Sequence, residues 1–315
     1  MSIAFTFPGQ GSQSVGMGAE LASTFRAAKD VFDEVDESLG EKLSAIMWEG
    51  EQDILTLTAN AQPALMAVSL AVIRVLEREK NIVLKDKVDY VAGHSLGEYS
   101  ALAAAGALTV ADAARLLRTR GHAMQDAVPV GEGAMAALLG LDLEGAQKVA
   151  REAAEDGVCQ AANDNAPGQV VLSGSKTAVE RAIEIAKSYG VRRAVLLPVS
   201  APFHSALMQP AADVMSEALS EIDIRQPAIP LVANVVAAEI TDPADIRTRL
   251  VQQVTGMVRW RESVAYLAGR GVTSVFEIGA GRVLTGLVRR IDRSLETVPV
   301  CLPSEIDAAV EALIA

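Results

Sequence analysis

Apolar positions open the chain as a short run at 3–7 that stops at Pro8-Gly9-Gln10-Gly11-Ser12, the pattern of a buried strand feeding a loop. A charge-rich helical stretch follows to about residue 51. Over 62–77 the residues are apolar on nearly every side, and Pro63 suits a first helical turn, so a central, buried helix is predicted there. Residues 88–92 read as a second buried strand, which enters Gly93-His94-Ser95-Leu96-Gly97 and an Ala-rich helix reaching residue 105. The order is strand, sharp turn, helix. Another helix is predicted from about 110 to 125, and further buried strands at 229–233 and 274–278, interleaved with helices.

Between about 133 and 199 the pattern tightens to strand, helix, strand, strand, helix, strand, which predicts a small ferredoxin-like unit. Its strands are predicted at 134–141, 158–162, 170–173 and 194–197, and its helices at 143–154 and 177–189, each ending near a glycine, Gly157 or Gly190. The fold class is therefore α/β: a larger domain formed by 1–130 and 199–315, with 131–198 inserted as a subdomain.

Composition narrows the function classes. Half of the 315 residues are hydrophobic, enough for a full core. The longest apolar run, 63–72, is too short to span a bilayer as a straight helix, and residues 1–7 lack the features of a secretory signal, so a cytoplasmic location is expected. Two cysteines, Cys159 and Cys301, are too few for a disulfide framework or metal cluster and read as inert thiols. A formal charge of −12 argues against nucleic-acid binding.

Gly93-x-Ser95-x-Gly97 is the pattern of a nucleophile elbow, whose glycines permit a strained turn that lifts a serine hydroxyl out of the fold. Backbone N–H groups at the following helix start can hold an oxyanion. The serine needs a base, and there are three histidines. His94 is adjacent to Ser95, and neighbouring side chains on a sharp turn diverge, so it reads as support for the elbow. His122 falls opposite the stripe of Ala113, Leu116, Leu117 and Met124 and is expected to be solvated. His204, in the loop Ser200-Ala201-Pro202-Phe203-His204-Ser205, is the best base, against the plainer reading of a loop histidine.

Arg120 lies in the middle of that apolar stripe, whereas Arg115 and Arg118 point elsewhere. A guanidinium on a core-facing stripe is costly unless paired, and its planar fork suits a carboxylate held by two hydrogen bonds. A buried structural ion pair is the competing reading. Serine, histidine and inward arginine together suggest an acyl substrate with its own carboxylate.

These residues resemble the signatures of bacterial malonyl-CoA:acyl carrier protein transacylases: Pro8-Gly9-Gln10-Gly11-Ser12-Gln13, Gly93-His94-Ser95-Leu96-Gly97-Glu98-Tyr99 and Pro202-Phe203-His204-Ser205. Further matches are Gln62-Pro63-Ala64-Leu65, Arg120-Gly121, Pro167-Gly168-Gln169, Asn234-Val235 and Gly286-Leu287, so the resemblance covers essentially the whole chain. It implies an α/β-hydrolase-like large domain and ping-pong malonyl transfer from malonyl-CoA to acyl carrier protein, for fatty acid or polyketide synthesis, without a metal or bound cofactor. Carried over by motif, Ser95 is the nucleophile, His204 the base, the backbone N–H groups of Gln10 and Leu96 the oxyanion hole, and Arg120 the holder of the malonyl carboxylate. The family's histidine is oriented by a main-chain carbonyl, here that of Gln253, so a dyad without an essential acid is implied. Phe203 precedes the base where malonyl-selective relatives often carry Phe, which implies malonyl preference. Ala280 departs from the family, which usually has proline between Gly279 and Gly281, and loop stiffness is in question there.

Acyl carrier protein is acidic, so its docking needs a basic rim, for which Arg192, Arg193, Arg289 and Arg290 are the candidates; solvated surface arginines are the alternative. No membrane or nucleic-acid partner is expected, and the chain is expected to be a monomer. The nearest rival is a hydrolase with the same elbow, in which water accepts the acyl group. A non-catalytic scaffold would not need Ser95, His204 and Arg120 intact. Gln10-Gly11-Ser12 is not followed by the Gly-Lys-Ser/Thr of a phosphate loop, so nucleotide hydrolysis has little support.

Overall fold

The computed structural model describes residues 2–199 and 201–314. Ten strands form two sheets: β1 (Ile3–Phe7), β2 (Tyr90–Gly93), β3 (Gly133–Leu139), β4 (Cys159–Ala166), β5 (Gln169–Ser175), β6 (Arg193–Leu196), β7 (Leu231–Ala233), β8 (Ala238–Ile240), β9 (Ser274–Ile278) and β10 (Glu296–Val300). The larger sheet has the order β10-β9-β1-β2-β7-β8. Its first five strands are parallel, and β8 closes one edge antiparallel to β7. Every residue of β1 and of β9 is buried, as strands covered on both faces require.

Parallel strands place their carboxyl ends along one edge, and ligand sites of open α/β sheets gather there. The loop after β1 carries Gln10, the turn after β2 carries Ser95, and Asn234 directly follows β7. The chain thereby brings three distant segments to one place.

The smaller sheet has the order β4-β5-β3-β6 with every pairing antiparallel, the ferredoxin-like arrangement expected from the pattern. The helix Leu143–Ala154 has its expected ends and starts at Asp142, whose side chain accepts the Gly145 N–H. The second helix, Lys176–Ser188, is displaced by one residue. The two helices share an apolar core with the sheet, including Leu138, Val149, Leu172 and Val179. The edge strand β4 docks on the larger part: Asp164 N–H donates to Val258 O at 2.9 Å, Val258 N–H donates to Ala162 O at 2.8 Å, and Arg261 bridges to Asp164.

One helix departs from expectation. The buried helix runs Thr58–Arg78, starting a full turn before Pro63, so the proline is interior. Pro63 has no N–H for the Ala59 carbonyl one turn back. Arg118 fills that gap, its Nη1 donating to Ala59 O at 2.8 Å. The ten-residue run that looked too short to span a bilayer is thus part of a 21-residue helix long and apolar enough to do so, and 83% of its most apolar window is buried inside the fold.

The Gly279-Ala280-Gly281 loop lacks the family's proline and is pinned by other bonds. Gly279 N–H donates to Val300 O at 3.0 Å. The buried Glu277 carboxylate accepts the N–H groups of Leu284 and Thr285, at 3.0 and 2.6 Å, at the start of the helix Val283–Ile291.

Candidate active site

The turn after β2 has the tightness the glycine pattern predicts. A Cβ on Gly93 would lie 1.9 Å from the Gly97 carbonyl carbon, and one on Gly97 would lie 2.3 Å from Phe7 O, so both positions exclude any side chain. Ser95 between them has φ +52°, a strained conformation for a residue other than glycine. Asn234 fastens the turn from β7: its Oδ1 accepts the Ser95 N–H at 2.7 Å, and its Nδ2 donates to Gly93 O at 2.6 Å.

His204 reaches the elbow from the loop after β6, of which Ser200 lies outside the described residues. Its own φ is +57°, and Ser205 Oγ braces the loop by donating to Pro202 O at 2.8 Å. The imidazole Nε2 lies 2.7 Å from Ser95 Oγ, and Nδ1 lies 2.8 Å from Gln253 O and 3.1 Å from Gly256 O. Carbonyl oxygens only accept, so the proton sits on Nδ1 and the Nε2 lone pair faces the serine hydroxyl. Burial above all, with the nearby Arg120 charge, pushes the His204 pKa down to about 3 against the support of the two carbonyls.

Arg120 is 1% exposed. Its Nη1 donates to Gln62 Oε1 at 2.7 Å, and its Nη2 donates to Gln253 Oε1 at 2.8 Å and Ser95 Oγ at 3.2 Å. It forms no salt bridge among the described residues, which removes the structural ion pair left open by the sequence. Its guanidinium stands over the Tyr99 ring, 5.8 Å from the centroid, and its Nε is buried without a partner among the described residues. Burial lowers its pKa, a cost no carboxylate in direct contact offsets.

Ser95, His204 and Arg120 line one cavity of about 450 Å³ between the two sheets, together with Gln10, Leu96, Phe203, Asn163 and Asn165. The amides of Gln10 and Leu96 donate to no other backbone carbonyl among the described residues. Phe203 is 8% exposed and forms part of the wall.

His94 turns away from Ser95, and its Nε2 pairs with Asn165 Oδ1 at 2.9 Å, tying the elbow to β4. Its pKa is lowered by burial. His122 is exposed, as the helical wheel predicts. Burial pushes the Cys159 and Cys301 thiols up to about 11, far from reactive thiolates.

The four candidate docking arginines are exposed. Arg192 packs against Gly140, its N–H donating to Leu139 O at 2.8 Å, and Gly140 N–H in turn donates to Gly168 O at 2.7 Å in the β4–β5 turn; Arg290 Nη1 donates to Gln169 Oε1 at 2.7 Å beside the same turn. Arg289 instead faces β10, its Nε donating to Thr297 Oγ1 at 2.8 Å.

Four side chains at the site had no role in the sequence reading, although Gln62, Glu98 and Asn234 stand in the matching motifs and Gln253 was named for its carbonyl alone. Gln62 and the Gln253 side chain hold Arg120, Asn234 holds the elbow, and Glu98 accepts hydrogen bonds from Gln253 Nε2 and the Asn234 N–H. Gln62 had a visible signal, a polar residue inside a helix apolar on nearly every side. Asn234 and Gln253 meet Ser95 only through the fold, and Glu98, though near it in the chain, meets Gln253 and Asn234 only there.

A strained serine elbow, a carbonyl-oriented histidine and an unpaired buried arginine define an acyl-transfer site on this α/β fold, and residues 4–302 match the acyl transferase domain family. The chain is 50% identical over 312 residues to the malonyl CoA-acyl carrier protein transacylase of Bacillus subtilis (strain 168), covering 99% of this chain and 97% of the relative. It superposes on the acyl-carrier-protein-S-malonyltransferase of Bartonella henselae with a TM-score of 0.98 at 57% identity, with both chains fully covered. A further neighbour, with a TM-score of 0.95 and 42% identity over 99% of this chain and 100% of its own, is a malonyl-transacylase solved in complex with a holo type II PKS acyl-carrier protein. The chain belongs to the malonyl-CoA:acyl carrier protein transacylase family.

Proposed function

We propose that this chain carries malonyl from malonyl-CoA to the phosphopantetheine thiol of acyl carrier protein by way of an ester on Ser95. The observation that carries this reading is Arg120: a buried guanidinium with no carboxylate partner among the described residues, 3.2 Å from the serine hydroxyl.

Ser95 Oγ attacks the thioester carbonyl as His204 Nε2 takes its proton. The oxyanion sits against the Gln10 and Leu96 N–H groups, and Arg120 holds the malonyl carboxylate in place of its contact with Ser95 Oγ. When the tetrahedral species collapses, the C–S bond breaks and His204 returns the proton to the coenzyme A sulfur. The carrier thiol then attacks the ester, giving its proton to His204, which passes it to the departing Ser95 Oγ. The Gln253 and Gly256 carbonyls stabilise the transient imidazolium in the role an acid fills in other triads. The catalytic unit is read as 1–130 with 199–315, the inserted unit as 131–198, and the setting as the cytoplasm.

Initial rates over a matrix of malonyl-CoA and holo carrier concentrations test the reading. Parallel double-reciprocal lines are expected; intersecting lines would contradict an acyl-enzyme. In the same assay, reversing Arg192, Arg193 and Arg290 to Glu should raise the carrier KM about tenfold and leave malonyl loading of Ser95 intact. An unchanged carrier KM would place docking elsewhere. The Phe203 ring should crowd an α-methyl, so methylmalonyl-CoA should load about 10-fold or more slowly than malonyl-CoA. Equal loading of the two donors would contradict that role.

His204 neutrality has its own test. The folded state keeps the imidazole uncharged while an unfolded chain protonates it near 6.5, so this group costs stability progressively as pH falls from about 6.5 toward 3. Nitrogen NMR of labelled imidazoles should find His204 as the neutral Nδ1–H tautomer down to about pH 5. An imidazolium forming near 6.5 would contradict the assignment.

A further inference from the structure

Glu98 is a carboxylate that the mechanism leaves without a task. It lies on the first turn of the helix Gly97–Ala104 and is 1% exposed. One oxygen accepts the Asn234 N–H at 2.7 Å, and the other accepts Gln253 Nε2. Gln253 Nε2 also donates to Ser95 O at 2.9 Å. Both amide hydrogens are thus committed to acceptors, and the Gln253 Oε1 is left facing Arg120 Nη2 at 2.8 Å.

A carboxamide has nearly the same shape when its oxygen and nitrogen are exchanged, so its orientation is set by its partners. In the exchanged orientation the Gln253 oxygen would face Glu98 and the Ser95 carbonyl, and its NH₂ group would face a guanidinium that can only donate. The Glu98 oxygen that accepts from Gln253 Nε2, together with the Ser95 carbonyl, makes that exchange unfavourable. The same Gln253 supplies the carbonyl on His204 Nδ1, so one anchored residue serves both base and arginine.

We propose that Glu98 is a positioning residue for malonyl recognition: through the Gln253 carboxamide it fixes the Arg120 guanidinium beside Ser95. The proposal rests on Arg120 holding the acyl carboxylate. Burial raises the Glu98 pKa to about 7, against the Asn234 N–H, the Gln253 amide and the Arg120 charge that favour its ionised form. A purely structural task, complementing the positive end of its own helix, is the rival account.

The two separate in a double-mutant cycle on the malonyl-CoA half-reaction, comparing wild type, Glu98→Gln, Arg120→Ala and the double variant. Glu98→Gln keeps an acceptor for Asn234 and turns an NH₂ group toward Gln253, so kcat/KM for malonyl loading should fall about tenfold, mainly through KM. In the Arg120→Ala background the same change should cost less than about twofold. An equal factor in both backgrounds overturns the proposal and leaves the carboxylate clamp standing. If Arg120→Ala alone leaves malonyl loading unchanged, the clamp falls and the proposal with it. Should Glu98→Gln fail to fold, Gln253→Met, which retains the main-chain carbonyl, enters the cycle with the same expectations.

Discussion

Replacing Ser95 by alanine is expected to abolish the acyl-enzyme and to lower malonyl transfer by about 10⁴-fold or more, with His204→Ala costing about 10³-fold. The two residues act as one unit, since among the described residues Ser95 Oγ has no other histidine within reach: His94 faces Asn165, and His122 is exposed on the helix Val110–Asp126. The double variant should therefore be little worse than Ser95→Ala alone. Multiplicative losses, measured as rates of malonyl transfer to the carrier, would mean that His204 does not work through Ser95.

The second large effect is expected at Arg120. Truncation to alanine removes the guanidinium fork from a buried site and leaves the malonyl carboxylate without a charged partner, a loss of about 2–5 kcal/mol, or roughly 30- to 5,000-fold in kcat/KM. The loss is specific to the substrate: acetyl-CoA, with no distal carboxylate, should load Ser95 at nearly its wild-type rate. Arg120→Lys should recover only part of the activity, because an ammonium lacks the planar fork that meets Gln62, Gln253 and the substrate together. Parallel losses for both donors would return Arg120 to a structural task.

The residues that proved readable in the sequence are those whose constraint is local. Gly93 and Gly97 announce a turn without space for side chains, and Arg120 announces itself by standing in an apolar stripe at helical spacing. The ferredoxin-like unit was legible because its helices and strands are short, regular and separated by glycines. The start of the buried helix was not, because Pro63 marks a helix start by its own chemistry, and the Arg118 side chain that lets it sit inside comes from another helix. The edge strand β10 contains Pro299 and is only partly buried, a pattern weaker than that of the central strands.

Site residues placed by tertiary contact were out of reach for the same reason. Glu98 and Gln253 are 155 residues apart, and Asn234 and Ser95 are 139 apart, so no periodicity links them. The Gln253 position came from family resemblance alone. Its side chain, which joins Arg120 to Glu98, emerged only with the fold.

The central claim is a malonyl ester on the elbow serine, and the most direct measurement is peptide-level mass spectrometry of the protein quenched in acid after brief exposure to malonyl-CoA. One malonyl group is expected, on the peptide containing Ser95, lost on adding holo acyl carrier protein, and not matched by equal labelling from acetyl-CoA. A malonyl group on Cys159, Cys301 or any other residue, or no covalent adduct during turnover, would contradict it.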